Sequence, residues 1–394
     1  MDTNGKIVVE GFDWGPAVTK AIIKIGEDFD GKGNTDAGFF EVKEIRKNRK
    51  KSFLSDRIIT DVYYSNEKGE RIETKGEYVS LNLKFNPEEG VPMFYDIATD
   101  FNRWFDYELI IKTADGEEIR LNNDNFVFPE TEGVDLGGRF TGSKGHTLTY
   151  ASFKPQNASA ENERPLVIWL HGMGEGGTDP LIALYGNRVT ALFKEEFQKI
   201  TDGAYVLVPQ NPTMWLQHSD KVKSWLRNRG KDSIYLEDLK ELIDKFVLEN
   251  HVDKKRIIVG GCSNGGFMTV NLILKYPDYF AAAFPICEAY YPKKLKAEQI
   301  LSIKDLPLWF IYAKNDRSVS PGVYTKPLLK LLEKAGAENV IVSEFDDVHD
   351  TSGLFEKDGK PYNYFGHFSW IYFFNNECVD KNVSIWEWIA QRSR

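Results

Sequence analysis

The run Ile257 to Gly266 (IIVGGCSNGG) is a short apolar strand signal. It leads into Gly261-Cys262-Ser263-Asn264-Gly265 and then into helix-forming residues from Phe267 to Lys275. A serine framed by glycines where a strand turns into a helix is left strained and exposed, because the bend is too tight for bulky neighbours. A serine hydroxyl is a weak nucleophile until a base removes its proton. The base is commonly a histidine oriented by a carboxylate. Those three residue types together perform acyl transfer.

Where such a serine follows a buried strand, the acid and then the histidine come later in the chain, on loops at strand ends. Two of the six histidines follow Ser263, namely His349 and His367, and both stand as candidate bases. Asp316 sits in the polar loop Lys314 to Pro321, directly after the apolar run Leu308 to Ala313, and is the expected acid. Glu288 follows the preceding strand signal and is its competitor. An aspartate in such a loop also serves commonly as a turn or helix cap.

Acyl transfer builds negative charge on the carbonyl oxygen, which backbone N–H groups must hold. One donor is Asn264, the residue after the serine. The second is expected from the loop His171-Gly172-Met173-Gly174-Glu175-Gly176-Gly177, with Met173 as the donor. His171 precedes the serine and ends a strand, so it should brace this loop rather than act as the base. The loop lacks the Gly-Lys-Ser/Thr ending of a phosphate cradle and the spacing of a dinucleotide loop. Trp215 follows Pro209 to Pro212 near a strand end and is a candidate to cover the leaving group.

The elements needed to hold these residues are legible in the second part of the chain. Leu166 to Leu170 and Tyr205 to Val208 are continuous apolar runs, as parallel strands buried on both faces require. Tyr235 to Asn250 puts Leu236, Leu239, Ile243 and Phe246 on one helical face. Strand signals at Arg256 to Val259, Ala281 to Ile286, Leu308 to Ala313 and Val340 to Phe345 continue a βαβ series. The first part differs. Val79, Leu81, Leu83 and Phe85 alternate with polar residues, and Tyr107 to Thr113 and Glu118 to Leu121 flank a hairpin turn. Val18 to Ile25, Phe39 to Ile45 and Arg57 to Tyr64 also suit strands. An antiparallel β-sandwich over residues 1–133 and a mostly parallel α/β domain over 134–394 are therefore expected.

Three motifs carry a resemblance. Leu170-His171-Gly172-x-Gly174-Glu175-x-Gly177, Gly261-Cys262-Ser263-Asn264-Gly265-Gly266 and Gly366-His367-Phe368-Ser369-Trp370 are similar to those of the α/β-hydrolase superfamily. The branch is that of carboxylesterases related to polyhydroxybutyrate-depolymerase-like, feruloyl and acetylxylan esterases. The layout also resembles esterases that carry an immunoglobulin-like N-terminal domain. The resemblance implies a serine carboxylesterase with the triad Ser263, Asp316 and His367 and no cofactor. His349, four residues past Phe345, occupies the place where many hydrolases keep their histidine; His367 lies beyond an apparent insertion, Thr351 to Tyr364.

Bulk properties limit the partners. A net charge of −9 argues against nucleic acid and anionic membranes. The basic run Lys43 to Lys51 reads as a solvated loop or strand edge. Hydrophobic residues make up 42% of the chain, enough for sizeable cores, without an apolar run long enough to span a bilayer. The three cysteines form neither a metal-ligand pattern nor a disulfide framework, and the Asp346, Asp347 and Asp350 cluster reads as solvated, so no metal is expected. Met1 to Lys6 lacks the basic and apolar regions of a signal peptide, which leans towards a cytoplasmic setting; a secreted one would need a leader already removed. The expected partner is a small-molecule or saccharide ester, with self-association through the N-terminal domain left open.

Overall fold

A computed structural model of the chain describes residues 5–25, 36–221 and 228–394. Met1–Asn4, most of the stretch read above for a leader, lies outside them. The chain divides into two compact units, Met1–Asp96 with Asn102–Glu132, and Ile97–Phe101 with Gly133–Arg394. The segment Ile97–Phe101, expected in the first domain from its place in the sequence, groups with the second unit.

The first unit is a pair of sheets. One has the order Phe126–Val127, Gly5–Phe12, Gly15–Lys24, Tyr78–Leu83, Ile59–Ser65; the other runs Glu118–Asn122, Asp106–Thr113, Phe40–Lys47, Ser52–Arg57. Pairing is antiparallel, except that Phe126–Val127 joins Gly5–Phe12 in parallel. Alternation puts Val79, Leu81, Val42, Leu109 and Ile111 into one core. The run Arg57 to Tyr64, expected as one strand, is two strands in different sheets. Arg57 ends the first of them buried, with its Nη1 2.7 Å from Glu44 Oε2 and its Nη2 donating to Val18 and Lys84 carbonyls. Ile58, between the two strands, is 55% exposed. A guanidinium that must bury and pair pulls the chain inward there, and the next residue makes the crossover. The basic run begins on the strand Phe40–Lys47, where Lys43 pairs with Glu41 and Arg46 with Glu44.

The second unit holds an eight-stranded sheet. In chain order its strands are β1 (Val134–Thr141), β2 (Thr147–Phe153), β3 (Arg164–Leu170), β4 (Tyr205–Gln210), β5 (Val252–Cys262), β6 (Ala282–Ile286), β7 (Leu308–Ala313) and β8 (Val340–Phe345). Their spatial order is β1-β2-β4-β3-β5-β6-β7-β8. β1, β2 and β4 pair antiparallel, and every pairing from β4 through β8 is parallel. β3 and β4 are buried at every position, which explains their unbroken apolar sequence. Helices α1 (Leu236–Glu249), α2 (Asn264–Lys275) and α3 (Thr325–Lys334) supply apolar faces to the sheet, with Leu239, Ile243, Val270, Leu272 and Leu328 in the core. Each such side chain contributes about 1.5–3 kcal/mol by leaving water. Among the described residues no helix is long and apolar enough to cross a membrane. A parallel sheet of this order brings the C-terminal ends of β3, β5, β6 and β7 to one edge, and that edge carries the site.

Candidate active site

Ser263 stands between the last residue of β5 and the first of α2, with φ 55° and ψ −114°. Left-handed backbone is costly for a serine and persists only where the surroundings hold it. They do so here. The Ser263 N–H donates to the Ile286 carbonyl at 2.9 Å, and its own carbonyl accepts from the Phe267 N–H at 2.9 Å. Gly261 and Gly265 press on the end of β3: a Cβ on either would collide with the Leu170 carbonyl oxygen. That crowding is the physical reason for the glycine pattern. Ser263 is 8% exposed.

Asn264 is the first residue of α2, so its N–H has no acceptor within the helix and lies at the positive end of the helix dipole. Its side chain takes no part in that. Its Oδ1 accepts from the Leu216 N–H at 2.9 Å, which ties the 211–217 loop to the helix start. Met173 lies in the turn after β3, in the loop that His171 braces. The His171 ring is buried, its Nδ1 donating to the Gly172 carbonyl at 2.6 Å and its Nε2 accepting from the Asn211 N–H at 3.3 Å. Burial lowers its pKa to about 4, outweighing the Gly172 contact, so the ring is neutral with both nitrogens committed.

Asp316 is 4% exposed and uses both carboxylate oxygens. Oδ1 accepts from the Ser318 and Val319 N–H groups at 2.8 and 3.0 Å; Oδ2 lies 2.7 Å from His367 Nδ1. The turn-forming and the histidine-orienting roles are thus filled by one side chain. The His367 ring meets the edge of Trp370 with centroids 5.7 Å apart. Burial opposes charge on this imidazole, but the Cys287 sulfur and the Asp316 carboxylate beside it outweigh burial and hold it above the usual histidine range. Asp316 holds the Nδ1 proton, and Nε2 is left as the basic atom.

The structure thus brings Asp316 together with His367. His349 pairs elsewhere, its Nδ1 2.7 Å from Asp347 Oδ1 on a side chain 44% exposed. Glu288 is fully buried, and burial pushes its carboxyl up to about 8 although Oε2 accepts the Tyr290 N–H at 2.6 Å. Glu288 thus accepts within its own turn, whereas Asp316 is the carboxylate in contact with the His367 ring. Trp215 needs correction. Its ring is fully buried within the main core, 5.2 Å from the His171 ring and 6.1 Å from Tyr235. Full burial leaves it no face open to solvent, and it packs against the ring of His171 at the start of the 171–177 loop. Asp350 accepts from Ser352, Gly353 and Phe355, shaping its own turn.

One residue was missed. Cys287 follows β6 with φ 36° and 2% exposure, and its sulfur lies with one ligand atom each of Asp316 and His367, all within 4.8 Å of one another. Cys262 pairs with Ile286 across β5 and β6, so positions 263 and 287 lie side by side beyond the two strand ends. This lateral step links the serine's backbone to the histidine's surroundings. In the sequence, Cys287 was only one of three cysteines that form no metal-ligand pattern.

The chain is similar to known proteins along its length. Residues 4–126 match the model of the esterase Ig-like N-terminal domain, and residues 156–353, half of the chain, match that of the phospholipase/carboxylesterase family. A solved structure described as a thermostable esterase superposes with a TM-score of 0.77 at 26% identity, covering 99% of this chain and 100% of its own. Poly(3-hydroxyalkanoate) depolymerase C of Paucimonas lemoignei is 29% identical over 143 residues, 35% of this chain and 31% of that protein. The uncharacterized peptidase YuxL of Bacillus subtilis (strain 168) is 25% identical over 234 residues, 58% of this chain and 33% of that protein. The chain spans about a third of the length of these two curated relatives. With an immunoglobulin-like sandwich ahead of an α/β-hydrolase sheet, the chain belongs to the phospholipase/carboxylesterase family.

Proposed function

We propose that the protein is a serine carboxylesterase that cleaves short-chain or carbohydrate-linked carboxylic esters through an acyl-enzyme on Ser263. The observation that carries this reading is the buried 2.7 Å contact between Asp316 Oδ2 and His367 Nδ1. It lies two strands along the sheet, with β6 between, from a serine held in left-handed backbone. Asp316 keeps the proton on Nδ1, so Nε2 is free to accept one.

The reaction follows. Ser263 Oγ attacks the ester carbonyl carbon as its proton passes to His367 Nε2. The oxyanion that forms is held by the N–H groups of Asn264 and Met173. Collapse breaks the bond to the alkoxy group, which leaves with the proton from Nε2. Water then attacks the acyl carbon, gives a proton to Nε2 and releases the acid. Serine regains its hydrogen as the second intermediate collapses. No step calls on a cofactor.

The test is hydrolysis of p-nitrophenyl acetate by the protein and by Ser263→Ala, together with labelling by a fluorophosphonate. Turnover and labelling that vanish together in the variant support the reading, and a variant as active as the parent removes it. The substrate class is resolved by a panel of acyl lengths plus acetylated and feruloylated saccharides. Similarity to a protein named a peptidase favours a second reading, amide cleavage by the same three residues. Release of p-nitroaniline as fast as p-nitrophenol from matched acyl groups would select it.

A further inference from the structure

Cys287 is the buried nucleophilic group beside the site for which the reaction has no use. It is held firmly: its N–H donates to the Ile311 carbonyl at 2.7 Å, joining the ends of β6 and β7, and its left-handed φ turns the chain there. Its sulfur, one carboxylate oxygen of Asp316 and one ring nitrogen of His367 lie within 4.8 Å of one another. Sulfur, imidazole and carboxylate are ligands that suit Zn²⁺ and similar thiophilic ions, whereas Mg²⁺ and Ca²⁺ take oxygen. Ligands on a tetrahedral zinc stand roughly 3.5 Å apart, from bond lengths of about 2.0–2.3 Å, so shifts of about an ångström bring the set to that spacing. Asp316 already has the outer support a ligating carboxylate needs, because Ser318 and Val319 N–H groups fix its other oxygen. Cys262 and Cys378, the other free thiols, belong to no such group of three among the described residues.

We propose that Cys287, Asp316 and His367 form a binding site for a thiophilic divalent cation such as Zn²⁺, and that its occupancy switches the esterase off. The inhibitory part rests on the triad reading above; the binding part does not. On binding, the thiol proton and any proton on the ligating ring nitrogen go to solvent, a sulfur–metal bond forms, and the ion's water ligands are displaced by sulfur, nitrogen and oxygen. The imidazole is then tied to the metal and can no longer serve Ser263.

The experiment uses the full chain, stripped with a chelator. Zn²⁺ should abolish p-nitrophenyl acetate hydrolysis, EDTA should restore it, and Mg²⁺ or Ca²⁺ should do nothing. In Cys287→Ser and Cys287→Ala, each measured against its own zinc-free rate, half-inhibition should require at least about tenfold more Zn²⁺. Cd²⁺ supplied instead should give an ultraviolet thiolate-to-metal absorption band that saturates at one equivalent and is absent from Cys287→Ala. This band needs no turnover, so it still appears if the protein is not an esterase. Equal zinc sensitivity in the parent and both variants, or a Cd²⁺ band that survives Cys287→Ala, overturns the proposal.

Discussion

Two histidine–aspartate pairs lie downstream of Ser263, and their central contact is the same: Nδ1 to carboxylate oxygen, 2.7 Å in each. They differ in setting. His349 and Asp347 have side chains 44% and 43% exposed, whereas His367 and Asp316 are at 12% and 0%. In water the first contact gains little, because solvent screens the charge and side-chain entropy opposes it. In the second, the carboxylate's remaining oxygen is fixed by two backbone N–H groups and water is excluded. A histidine oriented this way keeps one tautomer and one direction. Pair geometry is therefore common, and burial with outer support is what makes it useful for catalysis.

The sharpest way to break this comparison is to remove one histidine at a time. His367→Ala should lower kcat/KM for p-nitrophenyl acetate on the order of 10⁶-fold, the same loss as Ser263→Ala, since members of such a unit fail together. His349→Ala should stay within about twofold, as surface changes do. A large loss in His349→Ala with a mild one in His367→Ala would reverse the assignment and make the exposed pair the working one.

Changing the acids sharpens it further. Asp316→Asn preserves shape but presents an amide to Nδ1, so turnover should fall about 10⁴-fold through the wrong tautomer. Asp347→Asn should leave the rate unaltered. Were both variants to keep full rates, the orienting acid would have to be sought elsewhere in the site.

How far the sequence disclosed this depends on the range of the forces involved. The serine bend was legible because its cause is local: glycines at fixed offsets, an apolar strand before and a helix after. Six of the eight strands were legible, most of them because burial on both faces leaves continuous apolar runs; Val134–Thr141 and Thr147–Phe153 were not, because part of each is open to solvent and the apolar run is broken. The choice between His349 and His367 was not available from residue types, since each has acids near it in sequence or in the expected fold; it followed from the flanking Gly366-His367-Phe368-Ser369-Trp370 motif. Trp215 misled because its position at a strand end says nothing of which way the ring turns, and packing against His171 and Tyr235 turned it inward. Cys287 escaped notice because its place beside His367 arises from the junction of β6 with β7, a contact between distant parts of the chain. The split at Ile58 was hidden for the same reason, as Glu44 lies on a different strand from its partner Arg57.

A third histidine extends the comparison to an imidazole with no carboxylate at all. His171 is fully buried, and burial brings it down to about 4 from an ordinary 6.5. The sign follows from which state holds the proton. Between pH 6.5 and 4 the unfolded chain binds a proton that the folded protein refuses, so stability falls as pH drops through that window and levels off below it. A displacement of this size corresponds to about 3 kcal/mol. His171→Gln cannot titrate; it should be less stable than the parent at pH 7, because the ring's packing on Trp215 is lost, yet its stability should fall less steeply between pH 6.5 and 4. Urea midpoints followed by tryptophan fluorescence across this pH range measure both. Equal slopes for the parent and His171→Gln would mean that the loop admits a charged imidazole, and with it a less rigid second donor to the oxyanion than a neutral, doubly bonded His171 provides.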